Sequence, residues 1–266
     1  MNLTDEQIAR YSRQIIVPEV GAAGQERLLA SSVLVVGAGG LGSPALLYLA
    51  AAGVGRIGIV DGDSVDVTNL QRQIAHRTAD IDANKAASAR EKLLAIDPAL
   101  DVITYEYSLI AANALETFAG WGLVLDGSDN FATRYLVNDA CVLLDTPLVS
   151  AAILRFAGQL TTVVPHDGPC YRCIYPEQPP AGSVPSCSQA GILGPVAGVL
   201  GALQAVEAIK VLLGRGEILK GRLLVVDTLG MRTQEVAVER RRDCARCGEH
   251  PAMSELTDGE ETCSAR

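Results

Sequence analysis

An α/β fold, with a sheet that is mainly parallel and is then continued by antiparallel strands, is what this sequence predicts. Three observations carry the expectation. Short β-branched apolar runs alternate with helix-like segments through the first 155 residues. The first of those runs breaks into a glycine-rich turn, VLVVGAGGLG at 33–42. Beyond residue 155 strand-like runs continue with few helices between them, which suits antiparallel pairing.

The elements follow in order. Strands are expected at 33–36 (VLVV), 57–60 (IGIV), 102–104 (VIT), 123–125 (LVL) and 148–150 (LVS). Helices are expected in SPALLYLAAAG after the glycines, in NKAASAREKLLAID at 84–97 and in TRYLVNDACVLLD at 133–145. QLTTVVP (159–165), RLLVVDTL (222–229) and the alternating QEVAVER (234–240) read as strands that extend the sheet. A long apolar helix rich in Gly and Ala spans 193–214, and the Pro/Gly/Ser-rich stretch 176–191 reads as a long mobile loop. The expected organisation is one domain over 1–248, with a nucleotide-binding half to about 155 and a second half at 156–248. The acidic tail 249–266 is expected to be disordered.

Composition removes several classes. The chain has 266 residues, 48% apolar, and a net charge of -9 with no basic block, so a phosphate backbone would be repelled and no nucleic-acid partner is expected. Residues 33–55 carry no charge, but the interrupting glycines and Pro44 favour a buried strand and helix over a membrane span. The N-terminus shows no basic region followed by an apolar one, so a cytoplasmic protein is expected. Seven cysteines, an odd number, argue against a disulfide framework in such a compartment.

Gly37, Gly39 and Gly42 form G-x-G-x-x-G between a strand and a helix, where backbone N–H groups favour a phosphate in a Rossmann-like sheet. Asp61 ends the next strand, where a carboxylate can accept from a ribose hydroxyl. Taken alone, this fits an NAD-dependent oxidoreductase. The polar stretch DGDSVDVTNLQRQ (61–73), with Asn69 and Arg72, and Lys85 at a helix start supply cations that a triphosphate needs. Asp126 and Asp129 in LVLDGSDN fall at a strand end, where an aspartate can hold Mg2+. Together these are parts for attack at phosphorus. Cys170/Cys173 and Cys244/Cys247 are two C-x-x-C knuckles, which predict a tetrahedral zinc site with no open position, hence structural.

With RYSRQIIVPEVG (10–21), GAGGLG, DGDSVDVTNLQRQ, Lys85, DGSDN (126–130), the paired cysteines and the SCSQAG loop, the chain resembles the MoeB/ThiF/HesA family of adenylyltransferases over residues 5–248. The resemblance implies an enzyme that uses ATP and Mg2+ to adenylate the C-terminal Gly-Gly of a ubiquitin-like sulfur carrier of MoaD or ThiS type. It assigns nucleotide contact to the loop of Gly37, Gly39, Gly40 and Gly42, ribose to Asp61, phosphates to Asn69, Arg72 and Lys85, and Mg2+ to Asp129. Asp63, Gln71 and Asn130 complete the nucleotide set. Arg13 corresponds to an arginine that the second subunit of a homodimer inserts into the site. Cys187 stands where some relatives carry a cysteine that bonds the carrier, and an ordinary loop thiol is the other reading. The chain ends without a rhodanese-like extension, so a separate sulfur donor is expected, in molybdopterin or thiamine biosynthesis. Alternatives are a tRNA threonylcarbamoyladenosine dehydratase-like relative, the NAD oxidoreductase, and a zinc-stabilised dimer that only docks the carrier.

Overall fold

A computed structural model describes residues 3–180 and 190–259. One eight-stranded sheet runs through it, in the order β3-β2-β1-β4-β5-β6-β7-β8. The strands are β1 (Ser32–Val36), β2 (Arg56–Val60), β3 (Asp101–Tyr105), β4 (Leu123–Asp126), β5 (Leu148–Leu154), β6 (Ala157–Val163), β7 (Arg222–Asp227) and β8 (Arg232–Ala237). Pairings among β1 to β5 are parallel, and β5-β6, β6-β7 and β7-β8 are antiparallel. The parallel sheet and its antiparallel continuation both match the expectation.

Helices cover both faces. They are α1 (Asp5–Ile15), α2 (Gly21–Leu29), α3 (Gly42–Ala51), α4 (Lys85–Ile96), α5 (Ala111–Phe118), α6 (Phe131–Leu143), the single turn α7 (Tyr171–Ile174) and α8 (Gly194–Leu213). β1 shows why its sequence has no polar alternation: Val33 and Val35 join one core with Leu46, Leu49, Leu93 and Leu200, while Leu34 and Val36 join the opposite core with Phe118 and Leu136. A strand buried on both faces must be apolar throughout. β8 is the reverse case, an edge strand exposed at all six residues, so the alternation in 234–240 does not mark a buried face.

Local signals set the helix ends. Asn84 accepts from the N–H groups of Ala86 and Ala87 and starts α4 at Lys85. Asn130 accepts from Thr133 N–H and starts α6 at Phe131, two residues before the predicted start. Gly214, at φ +60°, ends α8. Helices α1, α2 and α5 were not anticipated. Of their residues, only Tyr11, Gln25 and Leu28 are buried in α1 and α2.

The charge-free stretch 33–55 becomes a strand, a turn and the ten-residue α3. Among the described residues one helix, α8, is long and apolar enough to cross a membrane; 56% of its most apolar stretch is buried, where it packs on α3, β5 and β6. The approach is close enough that a Cβ on Gly201 would overlap Leu41 O and Pro44. Of the tail, residues 249–259 are described, and several of them are bonded to the rest of the chain. Met253 O and Glu255 O accept from Arg246, and Asp258 accepts from Ala111 N–H, so the segment is tied down as far as these contacts reach.

The glycine turn is braced from below by His76. Its Nε2 donates to Ala38 O at 2.9 Å, and its Nδ1 lies 2.9 Å from Ser88 Oγ. Burial pushes the imidazole below its ordinary pKa, although the Ala38 bond opposes this. The folded ring therefore stays neutral while the unfolded ring gains a proton below about pH 6.5, so this contribution to stability is present above that pH and is lost as pH falls. Melting temperatures measured from pH 7 to 5.5 are expected to fall more steeply in the wild type than in His76→Gln; equal slopes would refute the assignment.

Candidate functional site

A cleft of about 240 Å3 opens at the carboxyl ends of β1, β2 and β4, the side of a parallel sheet where ligands of such folds sit. Its floor is the glycine turn. Gly37 has φ +90°, and a Cβ there would press on Gly127 O at 3.0 Å. A Cβ on Gly42 would overlap Gly37 O, so Gly42 is buried packing at the start of α3 and does not line the cleft. Gly39, Gly40 and Leu41 do line it. α3 has no side-chain cap, and among the described residues no acceptor meets the N–H groups of Gly39, Gly40 or Leu41. Unbonded amides at a helix start are donors waiting for an anion.

Asp61 shapes that floor. Its Oδ2 accepts from Ala38 N–H at 2.8 Å and its Oδ1 from Asp63 N–H at 2.9 Å. Burial pushes its carboxyl up, opposed by Lys85 and by these two bonds.

Three cations face the cleft: Arg72, Lys85 and Arg134. Arg72 is held by a bond from Nη1 to Thr68 O at 3.0 Å. Lys85, 8% exposed, pairs with Asp63 at 2.7 Å, and the Asp63 side chain is 72% exposed. Arg134 is 7% exposed and donates from Nη2 to Ser128 O at 2.9 Å. Its Nε is buried without a partner, and among the described residues no carboxylate lies within ion-pair distance of it. On the rim stands Asp129, exposed and lining the cleft beside Asn130. Asp126 is corrected as a cation-binding candidate: it is fully buried in β4, where Ser128 Oγ donates to it at 2.6 Å and Ser150 Oγ at 2.9 Å.

Other expected residues stand apart. Asn69 and Gln71 are not in the cleft wall; the Asn69 carboxamide caps its own 3-10 turn by accepting from Asp66 N–H at 3.2 Å. Arg13 is exposed in the last turn of α1, away from the cleft of its own chain. Cys187 lies outside the described residues. The sequence reading missed Gln73, Arg134 and the wall at 107–110. Gln73 is buried beside the glycines with Oε1 unpaired. Arg134 had one signal, a charge in the first turn of a largely apolar helix. The stretch 107–110 has no motif; it arrives because Gly62 lets the chain pass against Ser108.

The four knuckle cysteines converge. Cys170, Cys173, Cys244 and Cys247 are all buried, and their sulfurs lie within 4.8 Å of one another. Cys170 Sγ is 3.7 Å from Cys244 Sγ, and Cys173 Sγ is 3.4 Å from Cys247 Sγ. Zn–S bonds of about 2.3 Å in a tetrahedron give S···S edges of about 3.8 Å, so the four thiols fit a zinc ion.

Comparison with known proteins supplies the lineage. A sulfur carrier protein adenylyltransferase of Thermus thermophilus is 49% identical over 271 residues, and the match covers the whole of both chains. The adenylyltransferase and sulfurtransferase MOCS3 of Bos taurus is 50% identical; the match takes 99% of this chain and 58% of that protein, so the chain spans a little over half of that relative's length. Among solved structures, Escherichia coli MccB superposes with a TM-score of 0.81 over 94% of this chain and 74% of its own, at 23% identity, a likeness of fold. Residues 11–247 match the ThiF family, and the chain belongs to that family.

Proposed function

We propose that the protein is an ATP-dependent adenylyltransferase that activates the C-terminal glycine of a ubiquitin-like sulfur carrier of MoaD or ThiS type. The observation that carries this reading is the meeting of unbonded loop amides with Arg72, Lys85 and Arg134 in one cleft, facing Asp61 and Asp129. Both relatives quoted above bear adenylyltransferase names, and the first is named for a sulfur carrier protein.

The chemistry explains the charge. A carboxylate is a weak nucleophile and must approach a negatively charged α-phosphate, so neutralisation and alignment supply most of the rate. In this reading the amides of Gly39 to Leu41 take phosphate oxygens, Asp61 takes the ribose, and Arg72, Lys85 and Arg134 draw charge from the phosphates. Mg2+ held at Asp129 would supply further neutralisation of the departing pyrophosphate. The carboxylate oxygen bonds to the α-phosphorus, the bond to the pyrophosphate oxygen breaks, and no proton moves. A separate protein as the sulfur donor belongs to the same reading. A covalent role for Cys187 stays a proposal of its own. Arg13 acts, in this reading, in the cleft of the other subunit of a homodimer. Zinc in the four-cysteine site is structural, since four protein ligands leave no position for substrate.

Exchange of labelled pyrophosphate into ATP, dependent on a Gly-Gly-ended carrier, is the direct test. NADH oxidation without exchange would favour the oxidoreductase, and carrier binding without exchange the docking protein. Arg72→Ala and Asp129→Ala are expected to lower exchange by about 10²–10³-fold with melting temperatures near the wild type. Near-normal exchange in either removes that residue from the mechanism. Mixing inactive Arg13→Ala with inactive Arg72→Ala protein is expected to restore about a quarter of wild-type activity, because random pairing gives half mixed dimers with one intact site each. No recovery after verified subunit exchange would place Arg13 outside the partner's cleft. Cys244→Ser is expected to lose bound zinc and melting temperature together, because metal binding contributes to folding. A wild-type protein free of zinc by elemental analysis contradicts the metal assignment.

A further inference from the structure

Each knuckle carries an arginine immediately before its second cysteine, C-Y-R-C and C-A-R-C. The fold turns both toward a single carboxylate. Asp139, on α6 and 2% exposed, accepts from Arg172 Nε at 2.8 Å and from Arg172 Nη2 at 2.8 Å, one donor to each oxygen. Arg246 Nη2 lies 3.3 Å from Asp139 Oδ2, and the Arg246 side chain has no exposed surface. The next residue back closes the arrangement: Asn138 Nδ2 donates to Asp139 at 2.9 Å, and Asn138 Oδ1 accepts from Tyr171 N–H at 2.8 Å within the first knuckle. Tyr135, one turn earlier on α6, lies under the Arg172 guanidinium at 4.6 Å.

The charges do not cancel within this group. Two guanidiniums, that of Arg246 fully buried and that of Arg172 partly so, face one carboxylate, and among the described residues Arg246 Nε has no partner. Besides the contact with Asp139, its other nitrogens donate to neutral carbonyls, those of Met253 and Glu255. A surplus buried positive charge is costly unless a negative group stands near. Four thiolates around one divalent ion carry two negative charges, next to the two arginines of the knuckles. The arginines and the loaded cysteines therefore balance each other.

We propose that Asp139 is a positioning residue of the metal centre: through Arg172 and Arg246 it joins the two knuckles, so that the four sulfurs stay grouped in the metal-free protein and take up the ion without a folding step. Only the identity of the ion rests on the zinc reading above.

The test uses full-length wild type, Asp139→Asn and, as a control weakened elsewhere, Gly201→Ala. Zinc affinity, measured against a chromophoric chelator, is expected to fall about 10–100-fold in Asp139→Asn and to stay at the wild-type level in Gly201→Ala. After stripping by chelator, wild-type cysteines are expected to alkylate slowly and those of Asp139→Asn fast. Should Asp139→Asn fail to fold, Arg246→Met cuts one link alone, and Cys244 and Cys247 are then expected to alkylate faster while Cys170 and Cys173 do not. A zinc affinity in Asp139→Asn within twofold of wild type, or stripped wild-type thiols reacting at the unfolded rate, overturns the proposal. The alkylation arm needs no metal, so it decides the matter even where wild-type protein binds no zinc and the zinc reading fails.

Discussion

The peptide of Ala38 is gripped from both ends, and the geometry of the cleft depends on that grip. Asp61 Oδ2 accepts from its N–H at 2.8 Å, and His76 Nε2 donates to its carbonyl at 2.9 Å. A turn whose middle peptide is fixed cannot rotate its following amides into a bond with its own chain. Gly42 adds the second constraint, since only a residue without Cβ lets α3 start directly beneath Gly37. The N–H groups of Gly39, Gly40 and Leu41 are thus left aimed at solvent by neighbours that are themselves buried and bonded. This is preorganisation: the donors stand ready at no further cost in reorganisation when an anion arrives.

Helix α6 extends this economy across the molecule. Its first turn offers Thr133 and Arg134 to the cleft, and its middle offers Asn138 and Asp139 to the cysteine knuckles. The knuckles follow β6 and β8 in the chain, so the antiparallel half of the sheet is fastened to a helix that connects two strands of the parallel half. A change at the metal centre therefore acts on a rigid element that also carries a cleft residue. That coupling needs no moving part; it follows from one helix having two bonded ends.

The sequence made much of this legible and left specific parts hidden, each for a physical reason. The parallel strands were readable because burial on both faces forces unbroken apolarity, as in Val33 to Val36. The glycine turn and the cysteine knuckles were readable because fixed spacing carries their geometry. Asp126 and Asp129 could not be told apart, since facing inward or outward at a strand end depends on one peptide. Asp126 ends bonded to Ser128 and Ser150, while Asp129 reaches the rim. Arg134 escaped notice because its value comes from burial without a carboxylate, a property of the neighbours and not of spacing. The roles of Arg172 and Arg246 were hidden for the same reason, as both needed Asp139 from a distant segment.

The two inner cations of the cleft differ in what holds them now, and this bears on how the site would respond to a phosphate. Lys85 is parked on Asp63, a carboxylate that is mostly exposed, and exchanging an exposed partner costs little because water screens the pair. It can leave Asp63 for a phosphate with almost no loss. Arg134 has no carboxylate to leave among the described residues: it is already desolvated, bonded to the neutral Ser128 carbonyl and with Nε unpaired. Burial of a charge without an opposite charge beside it is unfavourable, so an anion placed there relieves a penalty that the fold already bears. A group with that history contributes more on binding than an exposed cation of equal charge. In the proposed reaction Arg134 would then supply affinity for the phosphates through relief of that penalty, while Lys85 would supply charge that can follow the phosphates as negative charge moves from the α-phosphate toward pyrophosphate.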